Sequence, residues 1–329
     1  MLDVTNYRTR LQYEISMDPA SPTSRTLLYA VARLHYEKDL SQRQIAEQMQ
    51  ISTATVSRLI KRAREEGIVR IEIGEFVGTD ELAEQLREAL GLAHVAIAQS
   101  APNPGAMAAI ADPVGQLLRK TGLGAGSVLG LGWGRTIWEV IQIGLPQIHG
   151  VTTVPLCGGI PEAAAHFQVG EMVRLAATQL GGTPKFLHVP YLLADETRKA
   201  LTKDPRIRES LELWDRLDTV IVGVGRPHGG ASSTTDVSLT PKDAAIDHAA
   251  GDVLLRYFDA TGRRVHWQEE RMLVAIEPKQ LLKVPFRIGA AVSGAKAISI
   301  VGAARSGLIN ALATDTSTAA HILQIARAE

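Results

Sequence analysis

Several things are scarce in this chain of 329 residues, and each scarcity closes off a class of protein. It carries one cysteine, Cys157, which excludes an intramolecular disulfide framework and a cysteine-built zinc finger and suits a reducing cytoplasm. No run of about eighteen apolar residues occurs, so no membrane span is expected. The N-terminal stretch is charged and lacks the apolar core of an export signal, so a cytoplasmic location is expected. Aromatic residues make up only 5 %, while Ala and Gly are abundant, which favours an α/β core with many close backbone approaches. The 35 Lys and Arg are balanced by 35 Asp and Glu, so any charge meant for nucleic acid must be local. His166, His228 and His248 lie far apart with no metal-ligand spacing, and neither a metal nor a cofactor is expected. There is no G-x-S-x-G motif, and Cys157 has no evident partner to make it a nucleophile.

What is present begins with SQRQIAEQMQISTATVSRLIKRAR, Ser41 to Arg64. Ile45, Ala46 and Met49 form one apolar stripe, with Ser41 placed as N-cap and Gln44 three residues on. After a break at Gln50-Ile51-Ser52, the residues Val56, Leu59, Ile60 and Ala63 recur at helical spacing, and Ser52 or Thr53 is placed to cap them. Hydroxyls crowd the start of this second helix at Ser52, Thr53, Thr55 and Ser57, where they can reach phosphates or base edges. Arg58, Lys61, Arg62 and Arg64 follow, with no acidic residue between Thr53 and Arg64. An ordinary helical hairpin would share the stripes. The hydroxyls followed by cations point instead to a helix-turn-helix whose second helix enters the major groove of double-stranded DNA. Leu27, Leu28, Val31, Ala32 and Leu34 supply the first of three helices, and Gly67 suits a helix C-terminus. Ile68 to Ile73 alternates as a strand and reads as a wing, from which Arg70 could touch a phosphate.

At this length two domains are expected, and the pattern places a flexible lead over residues 1–22, a winged helix-turn-helix over 23–74 and a larger domain over 80–329. In that domain strand-like and helix-like segments alternate. The pattern predicts strands at His94–Ala98, Ser127–Leu131, Val151–Leu156, Phe186–Val189, Thr219–Gly225, Val253–Phe258, Leu273–Ile276 and Ala297–Val301. Helices are predicted over Asp80–Leu90, Met107–Lys120, up to Ile143, Val169–Leu180, most of Glu196–Leu217 with a break at Pro205, after Val301 to about Ala311, and Ser317–Ala326. Such alternation implies a mostly parallel sheet with helices on both faces, whose ligands sit outside the carboxyl ends of the strands.

Two strands end in glycine clusters of the kind such a site needs. Leu129-Gly130-Leu131-Gly132-Trp133-Gly134-Arg135-Thr136 runs from strand into helix, where backbone amides favour an anion and Arg135 and Thr136 add donors. It matches neither the dinucleotide fingerprint nor a Walker loop, and a tight turn around a half-buried tryptophan would look the same. Gly223-Val224-Gly225 is the second cluster, and Gly158-Gly159 follows a third strand. Asp252 and Asp259 flank a strand, Lys296 stands in a Ser-Gly-Ala-Lys turn where it could meet a phosphate, and Thr314-Asp315 precede the last helix. For an enzyme, an acid/base pair would have to come from Asp252 and Asp259 with His228 or His248, and their spacing does not suggest one.

SQRQIAEQMQISTATVSRLIKRAREEGIVRIEI, LGLGWGRT, Gly251-Asp252 with YFDATG, SGAKAISI and ATDTSTA together resemble the sugar-binding transcriptional regulators of the sorbitol-operon-regulator (SorC-like) type. The resemblance runs from about Thr23 to the C-terminus. It implies a winged helix-turn-helix joined to an effector domain like the Rossmann-like folds of sugar-phosphate isomerases and glucosamine-phosphate deaminases, used for sensing rather than catalysis. It further implies a homo-oligomer, dimer or tetramer, acting on a palindromic operator of a carbohydrate or polyol operon in response to a phosphorylated sugar or polyol. Carried onto this sequence, Gly134, Arg135 and Thr136 match the loop that cradles the effector phosphate, Gln168 a polar contact after the third strand, and Lys296 a basic one. With Gly132, Gly225 and Asp252 they make up the expected effector site. One position departs: Cys157 stands where some relatives carry an arginine, which makes a bisphosphate a poorer fit than a monophosphate or a free polyol. The rival reading is a sugar-phosphate isomerase or deaminase fused to a DNA-binding domain.

Overall fold

The computed structural model describes residues 22–36, 40–69, 78–101, 105–160, 164–226 and 243–327. The chain divides into two compact units, Met1–Phe76 and Val77–Glu329. In the first, helices α1 (Pro22–Tyr36), α2 (Gln42–Met49) and α3 (Thr53–Glu65) enclose a small core of Val31, Ile45, Ala46, Val56 and Ile60. Local chemistry fixes both ends of α2. Ser41 and Gln44 form a reciprocal capping box, and Gln50 closes the helix with φ of 55°. Ser52 caps α3 by accepting the Thr55 N–H at 3.0 Å, and Gly67 follows its end with φ of 71°. Ile68 and Val69 fold back on Leu28, Ala32 and Ala63. The predicted wing beyond them, with Arg70, and the lead before Pro22 lie outside the described residues.

The second unit opens with α4 (Thr79–Leu90), whose Leu82, Leu86 and Leu90 are buried, and leads into β1 (His94–Ala98). Then come α5 (Ala106–Ala109), α6 (Ala111–Lys120), β2 (Val128–Leu131), α7 (Arg135–Ile143), β3 (Thr152–Pro155), α8 (Val169–Leu180) and β4 (Thr183–Pro184). A helical stretch, α9 (Asp195–Leu201) and α10 (Pro205–Glu212), brings the chain to β5 (Thr219–Gly223). After it stands a small antiparallel sheet of β6 (Gly251–Val253), β7 (Arg256–Phe258) and β8 (Arg264–Val265). The chain ends with α11 (Pro278–Leu281), β9 (Phe286–Ala290), α12 (Ala297–Arg305), β10 (Ala311–Asp315) and α13 (Thr316–Arg327).

The main sheet has seven strands in the order β1-β10-β9-β5-β2-β3-β4, every pairing parallel. Its strands alternate between two cores. Leu129, Leu131, Ile221, Ile288 and Ala313 pack with α6, α7 and α8. Val128, Val154, Val220, Val222 and Leu312 pack with α4, α12 and α13. From β2 the chain moves through β3 and β4 in one direction, and from β5 through β9 and β10 in the other. The topological switch point therefore lies between β2 and β5, where a doubly wound sheet opens its cleft.

Several predicted elements are corrected. Phe186–Val189 is not a strand: the edge strand is the two-residue β4, and the chain then leaves the sheet. Leu273–Ile276 makes only isolated bridges, Leu273 to Leu192 and Ala275 to Cys157. Ala297–Val301 is helix, the first half of α12, because an apolar run of small and branched residues buried all round has no period to read. Strand β10 occupies the region predicted as the end of a helix and its following turn, and β9 was not foreseen. Val253–Phe258 is a hairpin turning at Leu254 and Leu255.

One buried ionic cluster holds the small sheet to its surroundings. Arg256 is buried, and its guanidinium donates to Glu270 at 3.2 Å, Glu277 at 3.2 Å and the Ala275 carbonyl at 3.3 Å. Burial alone would raise the Glu270 pKa, but hydrogen bonds from Arg264 and His266 and the nearby Arg256 charge outweigh it and hold the carboxyl below its ordinary 4.5. A carboxyl depressed in the folded state contributes stability above its unfolded pKa and loses it as the pH falls through the folded value. Glu270→Gln is expected to cost about 3 kcal/mol at neutral pH, because the buried Arg256 loses its buried counter-charge and keeps only the half-exposed Glu277. Urea unfolding should show that loss, and the gap to wild type should shrink as the pH falls below 4.5.

Candidate functional site

In α3, the apolar positions Val56, Ile60 and Ala63 face the core, so the opposite side is fixed by helical geometry. Arg58 and Lys61 lie on that side, Ser57 and Thr53 on its flank, and all four are exposed. Ser52 and Thr55 join their hydroxyls at 2.8 Å as part of the helix cap, at the end that would enter a groove. Arg62 leans to Glu66 at 2.5 Å and Lys61 lies 3.8 Å from Glu65, both one turn on. These are surface pairs of little energy, so a phosphate can compete for either cation. Arg64 is exposed on the same side and extends the basic face.

In the second unit the strands' carboxyl ends gather the remaining predicted residues. The Gly132 N–H donates to the Ile221 carbonyl at 2.9 Å, tying the end of β2 to β5. Gly134 stands at the N-cap of α7 with φ of 129°, a conformation that residues with a Cβ rarely adopt, and its N–H donates to the His166 carbonyl at 2.9 Å. Arg135 and the buried Thr136 then open the first turn of α7, whose amides have no intrahelical acceptor. Gln168 is exposed and begins α8, one strand further along the sheet.

From β5, Val224 and Gly225 run on to meet the β6–β7 hairpin. Gly225 and Asp252 exchange backbone hydrogen bonds at 2.9 and 3.3 Å. Asp252 is buried, and one carboxylate oxygen accepts the Leu255 N–H at 2.9 Å. Desolvation raises its pKa, opposed by that N–H and by the Lys296 charge. Lys296 donates to the Val224 carbonyl at 2.9 Å. It is brought there by a turn at Ser293, whose φ is 112° and whose N–H is held by Thr318 Oγ1 at 2.8 Å. Gly132, Gly134, Arg135 and Thr136 thus follow β2, Gly225 follows β5, Asp252 stands on β6 paired to Gly225, Lys296 follows β9, and Gln168 follows β3.

Sequence reasoning missed the hairpin tip, where Leu254 and Leu255 are buried with φ of 55° and 61°. The Leu254 side chain packs close beside Gly132 and closes the floor of the cleft. It also missed a cavity of about 670 Å³ next to β3, between the start of α8 and residues 186–192. Cys157 is buried beside it in sequence, with its thiol pushed up to about 12 by burial, and is chemically quiet. Asp259 is spent on Thr261 and Arg263 in an exposed turn, and His248 is exposed on a short 3-10 helix. The residues 227–242, with His228, lie outside the described ones. Among the described residues no group of three potential metal ligands occurs, and no helix is long and apolar enough to cross a membrane.

A capped helix with an exposed basic face in one unit, and a doubly wound parallel sheet in the other, fit a DNA-binding protein with a small-molecule domain. Comparison with known proteins agrees. The family model described as "Putative sugar-binding domain" matches residues 74–324, and that of sigma-70 region 4 matches residues 33–66. The sorbitol operon regulator of Klebsiella pneumoniae is 30% identical over 309 residues, 91% of this chain and 98% of that protein. The deoxyribonucleoside regulator of Bacillus subtilis (strain 168) is 30% identical over 88% of this chain and 94% of that one. The crystal structure of the full-length Klebsiella regulator superposes with a TM-score of 0.67, covering 92% of this chain and 99% of that chain. The chain belongs to the sorbitol-operon-regulator (SorC) family. It is a sugar-responsive, DNA-binding transcriptional regulator and not an enzyme, as its relatives are regulators.

Arg58 offers the simplest test of the reading helix, since it faces away from the core. Arg58→Ala is expected to leave the fold intact and to weaken operator binding, by roughly 1–3 kcal/mol if it reads a base. If it touches a phosphate instead, the slope of log K against log salt should fall by about 1. Unchanged affinity at fixed salt would remove α3 from the groove.

Proposed function

We propose that this regulator controls a carbohydrate or polyol catabolic operon from the cytoplasm, and that its effector is a phosphorylated sugar or polyol bound at the switch point. In this reading the effector domain is a Rossmann-like relative of sugar-phosphate isomerases and deaminases that has kept binding without catalysis. The phosphate sits at the first turn of α7 on Arg135 and Thr136, with Lys296 as the second cation. Gln168 meets a hydroxyl, and Gly132, Gly134, Gly225 and Asp252 shape the floor.

The observation that supports the reading is that Arg135 and Thr136 open a helix directly after β2 while Lys296 reaches the Val224 carbonyl just beyond the end of the adjacent strand β5. Helix-start amides, a guanidinium and an ammonium are the donors that a phosphate calls for. Lys296 now donates to a backbone carbonyl at 2.9 Å, so a ligand that drew it away would release the Val224 segment. A change of this kind at the cleft is the local event that effector binding would convert into altered operator affinity. The family's regulators named above act at operons, and a homo-oligomer, dimer or tetramer, presenting paired α3 helices would require a palindromic operator with half-sites whole helical turns apart.

Thermal-shift measurements with sugar and polyol phosphates, alongside the unphosphorylated compounds, test the site. A ligand that binds only the native state should raise the melting temperature, equivalent to about 2.7 kcal/mol at a hundredfold excess over Kd. The shift is expected with a monophosphate and should disappear in Arg135→Ala. Thr136→Glu should lose the effect of that ligand on operator binding while still binding the operator, because a carboxylate repels phosphate. No shift from any phosphorylated compound would remove the phosphate from this cleft.

A further inference from the structure

The polar side chains that crowd the start of α3 do not all have the same freedom. Ser52 accepts the Thr55 N–H at 3.0 Å, and its hydroxyl joins that of Thr55 at 2.8 Å. Both hydroxyls are spent on the helix cap. At ~100° per residue, Ala54 and Arg58 lie within about 30° of the direction opposite the buried Val56, Ile60 and Ala63, and both are exposed. Lys61 stands about 45° from that line. It has Glu65 one turn on at 3.8 Å, and Arg62 is engaged by Glu66. No hydrogen bond or ion pair among the described residues engages the Arg58 side chain. An alanine and an unengaged arginine, one turn apart, thus share the centre of the outward face.

We propose that Ala54 and Arg58 are the base-reading pair of this regulator, and that each operator half-site presents a thymine methyl to Ala54 and a guanine to Arg58. The proposal rests on α3 as the helix that enters the major groove. A guanidinium is a rigid fork of donors, and guanine alone offers two acceptors, N7 and O6, on its major-groove edge. The methyl of Ala54 has no polar atom to set against a base, and the apolar group on that edge is the C5 methyl of thymine. Four residues place the two positions about 6 Å apart along the helix, close to two base-pair steps of about 3.4 Å. The thymine and the guanine therefore fall within about three base pairs of each other. Ser52 and Thr55 hold the shape of the reading turn. Lys61 and Arg62, each beside a glutamate toward the far end of α3, serve phosphates.

The test uses sites that the full-length protein selects from random-sequence duplex DNA. Affinity for them is measured at fixed salt with wild type, Arg58→Ala and Ala54→Gly. Each thymine of one half-site is replaced in turn by deoxyuridine, which lacks only the C5 methyl. One replacement is expected to weaken wild-type binding roughly fourfold, the worth of one buried apolar carbon, and to leave the affinity of Ala54→Gly unchanged. Arg58→Ala is expected to bind on the order of tenfold more weakly, and to select sites in which the guanine is no longer fixed while the thymine still is. The proposal is overturned if no deoxyuridine near the guanine matters to wild type, or if Ala54→Gly keeps the sensitivity. It is equally overturned if Arg58→Ala weakens all sequences alike with a smaller salt slope, a result that leaves α3 in the groove with Arg58 on a phosphate. If neither variant alters affinity for any sequence, α3 does not enter the groove and the proposal falls with that reading.

Discussion

A side chain cannot stand at position 225. A Cβ there would lie 2.0 Å from Asp252 Oδ1, so the extension of β5 and the base of the β6–β7 hairpin touch backbone to carboxylate. The cleft depends on this contact. With the hairpin docked by the paired bonds of Gly225 and Asp252, its tip is driven against the end of β2, where Leu254 meets Gly132. The tip holds two leucines in the left-handed region, at about 1–2 kcal/mol each. The Asp252 carboxylate on the Leu255 N–H, the Trp267 indole on the Leu255 carbonyl at 3.2 Å, and burial of both side chains offset that strain. Strain kept in place by several tertiary contacts, at the floor of a cleft, is the form a ligand-responsive element takes.

Local signals were legible and long-range ones were not. The capping box at Ser41 and Gln44, the cap at Ser52 and the stripes of α2 and α3 all act within one or two helical turns, so the sequence states them directly. The same holds for the strand, glycines and helix start from Leu129 to Thr136. By contrast, the segment Ala297–Val301 is buried on every side, and nothing in a uniformly apolar run separates strand from helix. Strands β9 (Phe-Arg-Ile-Gly-Ala) and β10 (Ala-Leu-Ala-Thr-Asp) escaped notice because neither carries a run of branched or aromatic residues. A strand inside a doubly covered sheet needs no alternation, and Ala290, Ala311 and Ala313 are buried in the core that α6 shares.

The same division runs through the candidate sites. Arg135, Thr136 and Lys296 could be proposed from position, because strand ends and helix starts are where donors collect. Asp252 reads in sequence as a polar residue at a strand end, but the fold turns its carboxylate onto its own hairpin, so its influence on the cleft passes through Gly225 and Leu255. The ring-lined cavity had no sequence signature, since Phe167 and Phe186 meet only through the crossover between β3 and β4.

Charge then limits what the proposed switch-point site can hold. Its cations are Arg135 from α7 and Lys296 from the turn before α12, and Asp252 stands close enough for Lys296 to oppose its raised pKa. At the end of β3, where a further guanidinium would be well placed, Cys157 is buried and stays a neutral thiol, its pKa pushed up to about 12. One dianionic phosphate can be matched by two cations and the first turn of a helix. A second phosphate near Cys157 would arrive beside a neutral thiol rather than a guanidinium, and would lack the bidentate donor that an arginine there supplies. In the proposed site, one phosphate is therefore a better match than two.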